Sequence, residues 1–164
     1  MPRTAARASL DRIWAPWRRK FIRHGKPKGC IFCEKPRSKR DAQNLVLFRG
    51  RKAFSMLNLY PYNAGHVMVS PYRHVASVAD LTEEECLEMF RIARAAMKRI
   101  DRVLKPHGYN LGYNIGRVSG AGFDGHTHLH VVPRWGGDTN FMPVVAGTKV
   151  VSESLQELRK VLVS

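Results

Sequence analysis

Three histidines set two residues apart, His126, His128 and His130, lie in the run Gly125-His126-Thr127-His128-Leu129-His130-Val131-Val132-Pro133-Arg134-Trp135. The run reads as a β-strand, where residues two apart share a face. The imidazoles therefore form one row, and Thr127, Leu129 and Val131 point the other way, into a core. Three adjacent histidines add nothing to the stability of a strand. Their chemistry is metal binding, proton transfer or nucleophilic attack on phosphorus or an acyl carbon. Imidazole suits phosphoryl transfer because its ordinary pKa of about 6.5 leaves most of it neutral at pH 7.

A second group of ligand-bearing residues is the C-x-x-C of Cys30 and Cys33. Two thiolates at this spacing can share one zinc ion, which then needs two further ligands. No second C-x-x-C exists, so those ligands must be histidines, with His74 and His126 best placed. The alternative is a redox pair, but the cysteines sit in a segment, Gly25 to Arg40, that reads as a loop rather than the start of a helix in a βαβ unit. Cys86 stands alone in a helical pattern and reads as core. An odd number of cysteines does not make a disulfide framework, so a reducing, cytoplasmic setting is expected.

The elements that position these groups follow from pattern. Asn44 to Phe48, Ala53 to Leu57 and Gly65 to Ser70 read as strands separated by turn residues. Thr82 is an N-cap and Glu85 completes a capping box. A helix with Leu87, Phe90, Ala93, Met97, Ile100 and Leu104 at helical spacing then runs until Pro106. Tyr109 to Gly116 alternates strictly, with Asn110, Gly112, Asn114 and Gly116 making one nearly bare face for a ligand. The glycine-rich loop Arg117 to Gly125 leads into the histidine run and could cradle phosphate through backbone N–H groups. Ser152 to Leu162 closes the chain as a short helix. The order β-β-β-α-β-β-α implies an α+β fold with a mostly antiparallel sheet.

At 164 residues the chain is long enough for one domain with a proper core. No stretch approaches a membrane span. The net charge of +15 is concentrated: residues 1–52 hold 16 Lys/Arg against 3 Asp/Glu. We divide the chain into a basic arm with the C-x-x-C loop, residues 1–40, and a domain, residues 41–164. In the arm, Trp14, Trp17, Phe21 and Ile22 among arginines read as a segment docked on a surface. Such charge favours polyanions.

These motifs resemble those of the histidine triad family. His126-Thr127-His128-Leu129-His130-Val131-Val132 is similar to its H-φ-H-φ-H-φ-φ signature. Ile13 to Arg18, Gly29 to Cys33, Asn58 to His66 and Pro71 to His74 also look like this family, and Val132 to Pro143 resembles its diadenosine tetraphosphate phosphorylase-like microbial branch. The resemblance implies a five-stranded antiparallel sheet with two helices, paired as a homodimer. It implies a covalent AMP intermediate on His128, with His130 at the reacting phosphate and His66 supporting the cluster, and His126 completing the triad. Asn58 would hold ribose; Asn114, Ser119, Ala121, Gly122 and His130 would bind phosphate; Trp135 would lie near the second nucleotide. Cys30, Cys33, His74 and His126 match the ligands of members that carry zinc. The implied substrate is an adenine dinucleotide polyphosphate or another adenosine nucleotide, with inorganic phosphate or water as acceptor. One departure is Gly122, where related phosphorylases carry a hydroxyl or amide side chain. Plain hydrolysis of dinucleoside polyphosphates or adenosine phosphoramidates is the alternative activity. The runner-up from another class is a nucleotide- or nucleic-acid-binding protein with an idle triad.

Overall fold

The computed structural model describes residues 29–138 and 154–164. The aromatic arm around Trp14 to Ile22, most of the basic segment, and Thr139 to Pro143 lie outside the described residues. The described elements are helices α1 (Ile31–Arg37) and α2 (Asp41–Asn44), strands β1 (Val46–Arg49), β2 (Ala53–Leu57) and β3 (Val67–Pro71), helix α3 (Glu83–Leu104), strands β4 (Gly108–Tyr113) and β5 (Leu129–Arg134), and helix α4 (Leu155–Val163). The five strands form one antiparallel sheet in the order β1-β2-β3-β5-β4. This is the expected α+β architecture.

Alternation along the strands sends odd and even residues to different layers. Ala53 and Leu57, Val67 and Val69, and Leu129 and Val131 pack with Met89, Ile92, Ala93 and Ile100 of α3 and with Leu158 and Leu162 of α4. The even residues Phe54, Met56 and Met68 pack with Phe32 of α1 on the opposite face. The histidine row belongs to that second layer, on the side of the sheet away from the main core.

The start of α3 is as expected. Thr82 Oγ1 accepts the Glu85 N–H at 3.3 Å and Glu85 returns a bond to the Thr82 N–H at 2.9 Å. Glu88, one turn on, accepts the backbone N–H groups of Arg51, Lys52 and Ala53, tying the β1–β2 turn to α3.

Three expectations need correction. The segment around the C-x-x-C is not a loop: Cys30 is the N-cap of α1, and Cys33 lies in its first turn. Pro36 and the surrounding lysines hid this short helix, which is held by burial of Phe32 and Pro36. Second, Leu87 and Phe90 are 53% and 52% exposed, because they lie on the flank of α3 while Met89 and Ile92 face the sheet. Third, the ladder of β5 begins only at Leu129. Its partner β3 ends at Pro71, which has no N–H to continue the ladder. His126 and His128 therefore lie in the lead-in, which is pinned by Thr127 N–H to the Val75 carbonyl (2.6 Å) and Ser70 Oγ to the Thr127 carbonyl (3.0 Å). Among the described residues no helix is long and apolar enough to cross a membrane.

Candidate active site and metal centre

Gly65, at φ +75°, turns the chain into β3 where an added Cβ would lie 2.8 Å from Leu104 Cδ1. The next residue, His66, is fully buried beside β5. The Tyr62 N–H donates to His66 Nδ1 at 3.1 Å, and the Asn58 amide lies 3.3 Å from the same atom. Nδ1 is thus an acceptor, so the proton sits on Nε2 and is donated to His130 Nδ1 at 2.9 Å. His130 Nδ1 then accepts, and Nε2 of that ring carries its proton. The Asn114 amide lies 3.4 Å from His130 Nε2 and, with its oxygen turned inward, accepts this proton.

His128 is held differently. Its Nδ1–H donates to the His126 carbonyl at 2.9 Å, which leaves Nε2 as the nitrogen with an available lone pair. The ring stacks on Phe32 of α1, centroids 4.5 Å apart at 25°, and meets His130 edge-on at 4.7 Å. Burial pushes both pKa values down, His130 to about 4, where the neighbouring His128 adds to the effect. Two neutral, unlike imidazoles thus stand side by side: one a nucleophile, the other a proton donor.

His126 turns away from this pair. Its Nδ1 lies 3.2 Å from Cys30 Sγ and 3.5 Å from Cys33 Sγ, and His74 Nδ1 lies 3.3 Å from Cys33 Sγ. The four ligand atoms all fall within 4.8 Å of one another. A tetrahedral zinc with ordinary Zn–S and Zn–N distances needs separations of roughly 3.3–3.8 Å, so this donor set fits the ion. The His126 Nε2–H donates to the Pro71 carbonyl at 3.1 Å, the outer contact that aims Nδ1 at a metal. His74 is positioned through its neighbour: Arg73 forks onto the Glu85 carboxylate at 3.0 and 2.7 Å, linking the metal loop to the cap of α3.

The remaining residues divide. Asn58 and Asn114 join the histidine chain at its two ends. The loop carrying Ala121 and Gly122 is fastened to α1 by Phe123, whose ring meets Phe32 at 6.1 Å, and is closed by an Arg117–Asp124 pair at 2.7 Å. Ser119 is exposed and spends its hydroxyl on the Gly116 carbonyl at 2.7 Å. Trp135 is not brought to the triad: it lies past the far end of β5, where its indole N–H reaches the Leu104 carbonyl at 3.3 Å. Phe32 was missed by pattern reading, since nothing local marks an aromatic that stacks on a residue 96 positions away.

Residues 39–137 match the HIT domain model. Over 165 aligned residues, covering 95% of this chain and 84% of the relative, the sequence is 39% identical to a Mycobacterium tuberculosis protein named AP-4-A phosphorylase. An asymmetrical bis(5'-nucleosyl)-tetraphosphatase of Schizosaccharomyces pombe is 33% identical over 54% of this chain and 48% of its own length. Among solved structures, a zinc-bound histidine triad family protein from Mycobacterium smegmatis aligns with a TM-score of 0.63 at 21% identity, covering 82% of this chain and 91% of that one. A histidine triad nucleotide-binding protein from Sulfolobus tokodaii gives 0.62 at 25% identity, covering 81% and 89%. The chain belongs to the histidine triad, or HIT, family.

Proposed function

We propose that this protein cleaves diadenosine polyphosphates by nucleotidyl transfer through His128, as a phosphorylase. The observation that carries the chemistry is the bond from His128 Nδ1–H to the His126 carbonyl, which presents Nε2 for attack. The 39% identity to an AP-4-A phosphorylase over nearly the whole chain supports the substrate class.

In the first step Nε2 attacks the phosphorus of the AMP moiety, and the P–O bond to the departing polyphosphate breaks. His130 Nε2–H hydrogen-bonds the oxygen that gains charge, and His66 holds that ring in the donor tautomer. In the second step an acceptor oxygen attacks the same phosphorus, the P–N bond breaks, and His128 is restored as a neutral ring. Asn58 would meet ribose, and Asn114, Ala121 and Gly122 the phosphates. A zinc ion on Cys30, Cys33, His74 and His126 would cross-link α1 to the histidine lead-in and takes no part in either step.

The alternative acceptor is water, and one observation favours it. Gly122 offers no side chain, and Ser119 commits its hydroxyl within its own loop. Turnover of diadenosine tetraphosphate with and without inorganic phosphate separates the two. ADP plus ATP supports phosphorolysis, AMP plus ATP supports hydrolysis, and no turnover overturns the enzymatic reading in favour of a binding role. A homodimer is supported by the edge position of β4 and by exposed apolar residues on that side, Leu111 at 42% with Phe90 and Leu87. A cytoplasmic location follows from the free thiols of the metal cluster.

A further inference from the structure

A cleft of about 320 Å³ opens beside His130 on the histidine face of the sheet, lined by Tyr62, Asn110, Gly112, Asn114, His130 and Arg134 among others. It runs along β5 from His130 to Arg134, four residues or roughly 13 Å. It does not include His128, so it begins where the attacked phosphorus ends. An in-line displacement sends the leaving group away from the nucleophile, and the donor of His130 lies at the mouth of this cleft. The two ends differ in chemistry. Near His130 and Asn114 the walls are hydrogen-bonding groups suited to phosphate oxygens. At the far end the Arg134 guanidinium is forked onto Asp138, with a further bond to Asn110 Oδ1 at 2.6 Å. Its charge is offset there, and Asn63 also donates to Asp138 at 2.8 Å. That end is electrically balanced, amide-lined, and flanked by the Tyr62 ring, which stacks over His130 at 5.9 Å. Fixed dipoles and an aromatic face suit an uncharged heterocycle and sugar rather than another phosphate.

We infer that this cleft is the subsite for the leaving nucleotide, taking its phosphates at His130 and Asn114 and its nucleoside between Tyr62, Asn110 and Arg134. The inference rests on the proposed function for its substrate and adds where the second half of that substrate lies, a place Trp135 does not supply. Gly112 is what keeps the cleft open: it lies opposite His130 in the β4–β5 ladder, and a Cβ built there meets nothing within 4 Å.

This makes Gly112→Val a filling variant that a strand accepts readily. Its kcat/KM for diadenosine tetraphosphate is expected to fall at least tenfold, mostly through KM. With the 4-nitrophenyl ester of AMP, whose leaving group is small, kcat/KM stays within twofold of wild type. Equal loss on both substrates, or no loss on either, overturns the assignment. Calorimetric binding of diadenosine tetraphosphate, measured in a His128→Ala background, keeps the test independent of turnover. There Gly112→Val is expected to weaken binding at least tenfold while AMP binding is unchanged. If wild type turns over neither substrate, the catalytic reading fails, and the binding comparison alone decides the cleft: unaltered affinity overturns it.

Discussion

His66 Nε2 lies 2.9 Å from His130 Nδ1, and this contact settles where the protons sit on both rings. Because His66 Nδ1 already accepts the Tyr62 N–H, His66 must donate and His130 must present N–H at its outer nitrogen. His66→Phe keeps a buried ring but removes the donor. We expect kcat to fall roughly 10²-fold with little change in KM. His66→Gln, which restores a side-chain N–H, should recover part of the loss. Equal rates in both variants would count against tautomer control.

Phe32 is 1% exposed and stacks on His128, so it holds both the second hydrophobic layer and the nucleophile. Phe32→Ala should cost about 3–5 kcal/mol in chemical denaturation. Phe32→Leu, closer in volume, should cost about 1.5 kcal/mol or less, yet still lower kcat, because no flat surface then fixes the His128 ring. Wild-type kcat in Phe32→Leu would show that the stack has no orienting role.

Much of this site was legible from local pattern, and the rest was not for definable reasons. Alternation placed His128 and His130 on one face and Leu129 and Val131 on the other, because the period of a strand is a local property. The capping box of α3 was readable because its two partners, Thr82 and Glu85, are three residues apart. Cys30, Cys33, His74 and His126 could be grouped because thiolate spacing limits the remaining ligands. By contrast, the cleft at Gly112 depends on the register Gly112↔His130, and Phe32 acts through a contact of long sequence separation. The lead-in of His126 and His128 is irregular because Pro71 stops the neighbouring strand, a tertiary effect invisible in the histidine run itself.

The metal centre gives a direct chemical test. Protein purified without chelator should carry one zinc per chain by elemental analysis. Cys33→Ser should lose most of it and lower the melting temperature, since a structural zinc contributes folding energy outright. His74 and His126 both face Cys33, so this variant frees two ligands at once. Turnover by residual folded protein should remain measurable, because no step uses the ion. A metal-free protein with wild-type stability would argue against zinc at these four residues.

Glu85 joins the cap of α3 to Arg73 and is 4% exposed. The Arg73 guanidinium, joined by the Thr82 N–H, holds its carboxyl below the usual range against the opposing effect of burial. Thr82→Ala should cost about 1 kcal/mol by losing the N-cap alone. Glu85→Ala should cost more, and it should also loosen zinc, because Arg73 adjoins His74. Zinc competition with a chromogenic chelator reads this directly; unaltered affinity would mean that the Arg73–Glu85 fork does not position the metal loop.

His130 gives the pH dependence. Burial holds its pKa at about 4 in the folded protein, against about 6.5 in the unfolded chain. Between these values the unfolded state binds more protons, so stability rises with pH across the window. Its contribution is fully present above pH 6.5 and is lost as pH falls towards 4. The integrated difference is of order 3 kcal/mol. His130→Gln cannot titrate, so subtracting its urea stability from that of wild type at each pH isolates the effect from acidic residues elsewhere. The difference should decline between pH 6.5 and 4 and be flat above 7. Protonation also removes the Nδ1 acceptor that His66 requires, so turnover should fall over the same acid limb. A stability difference independent of pH would show that His130 is not buried as a neutral ring.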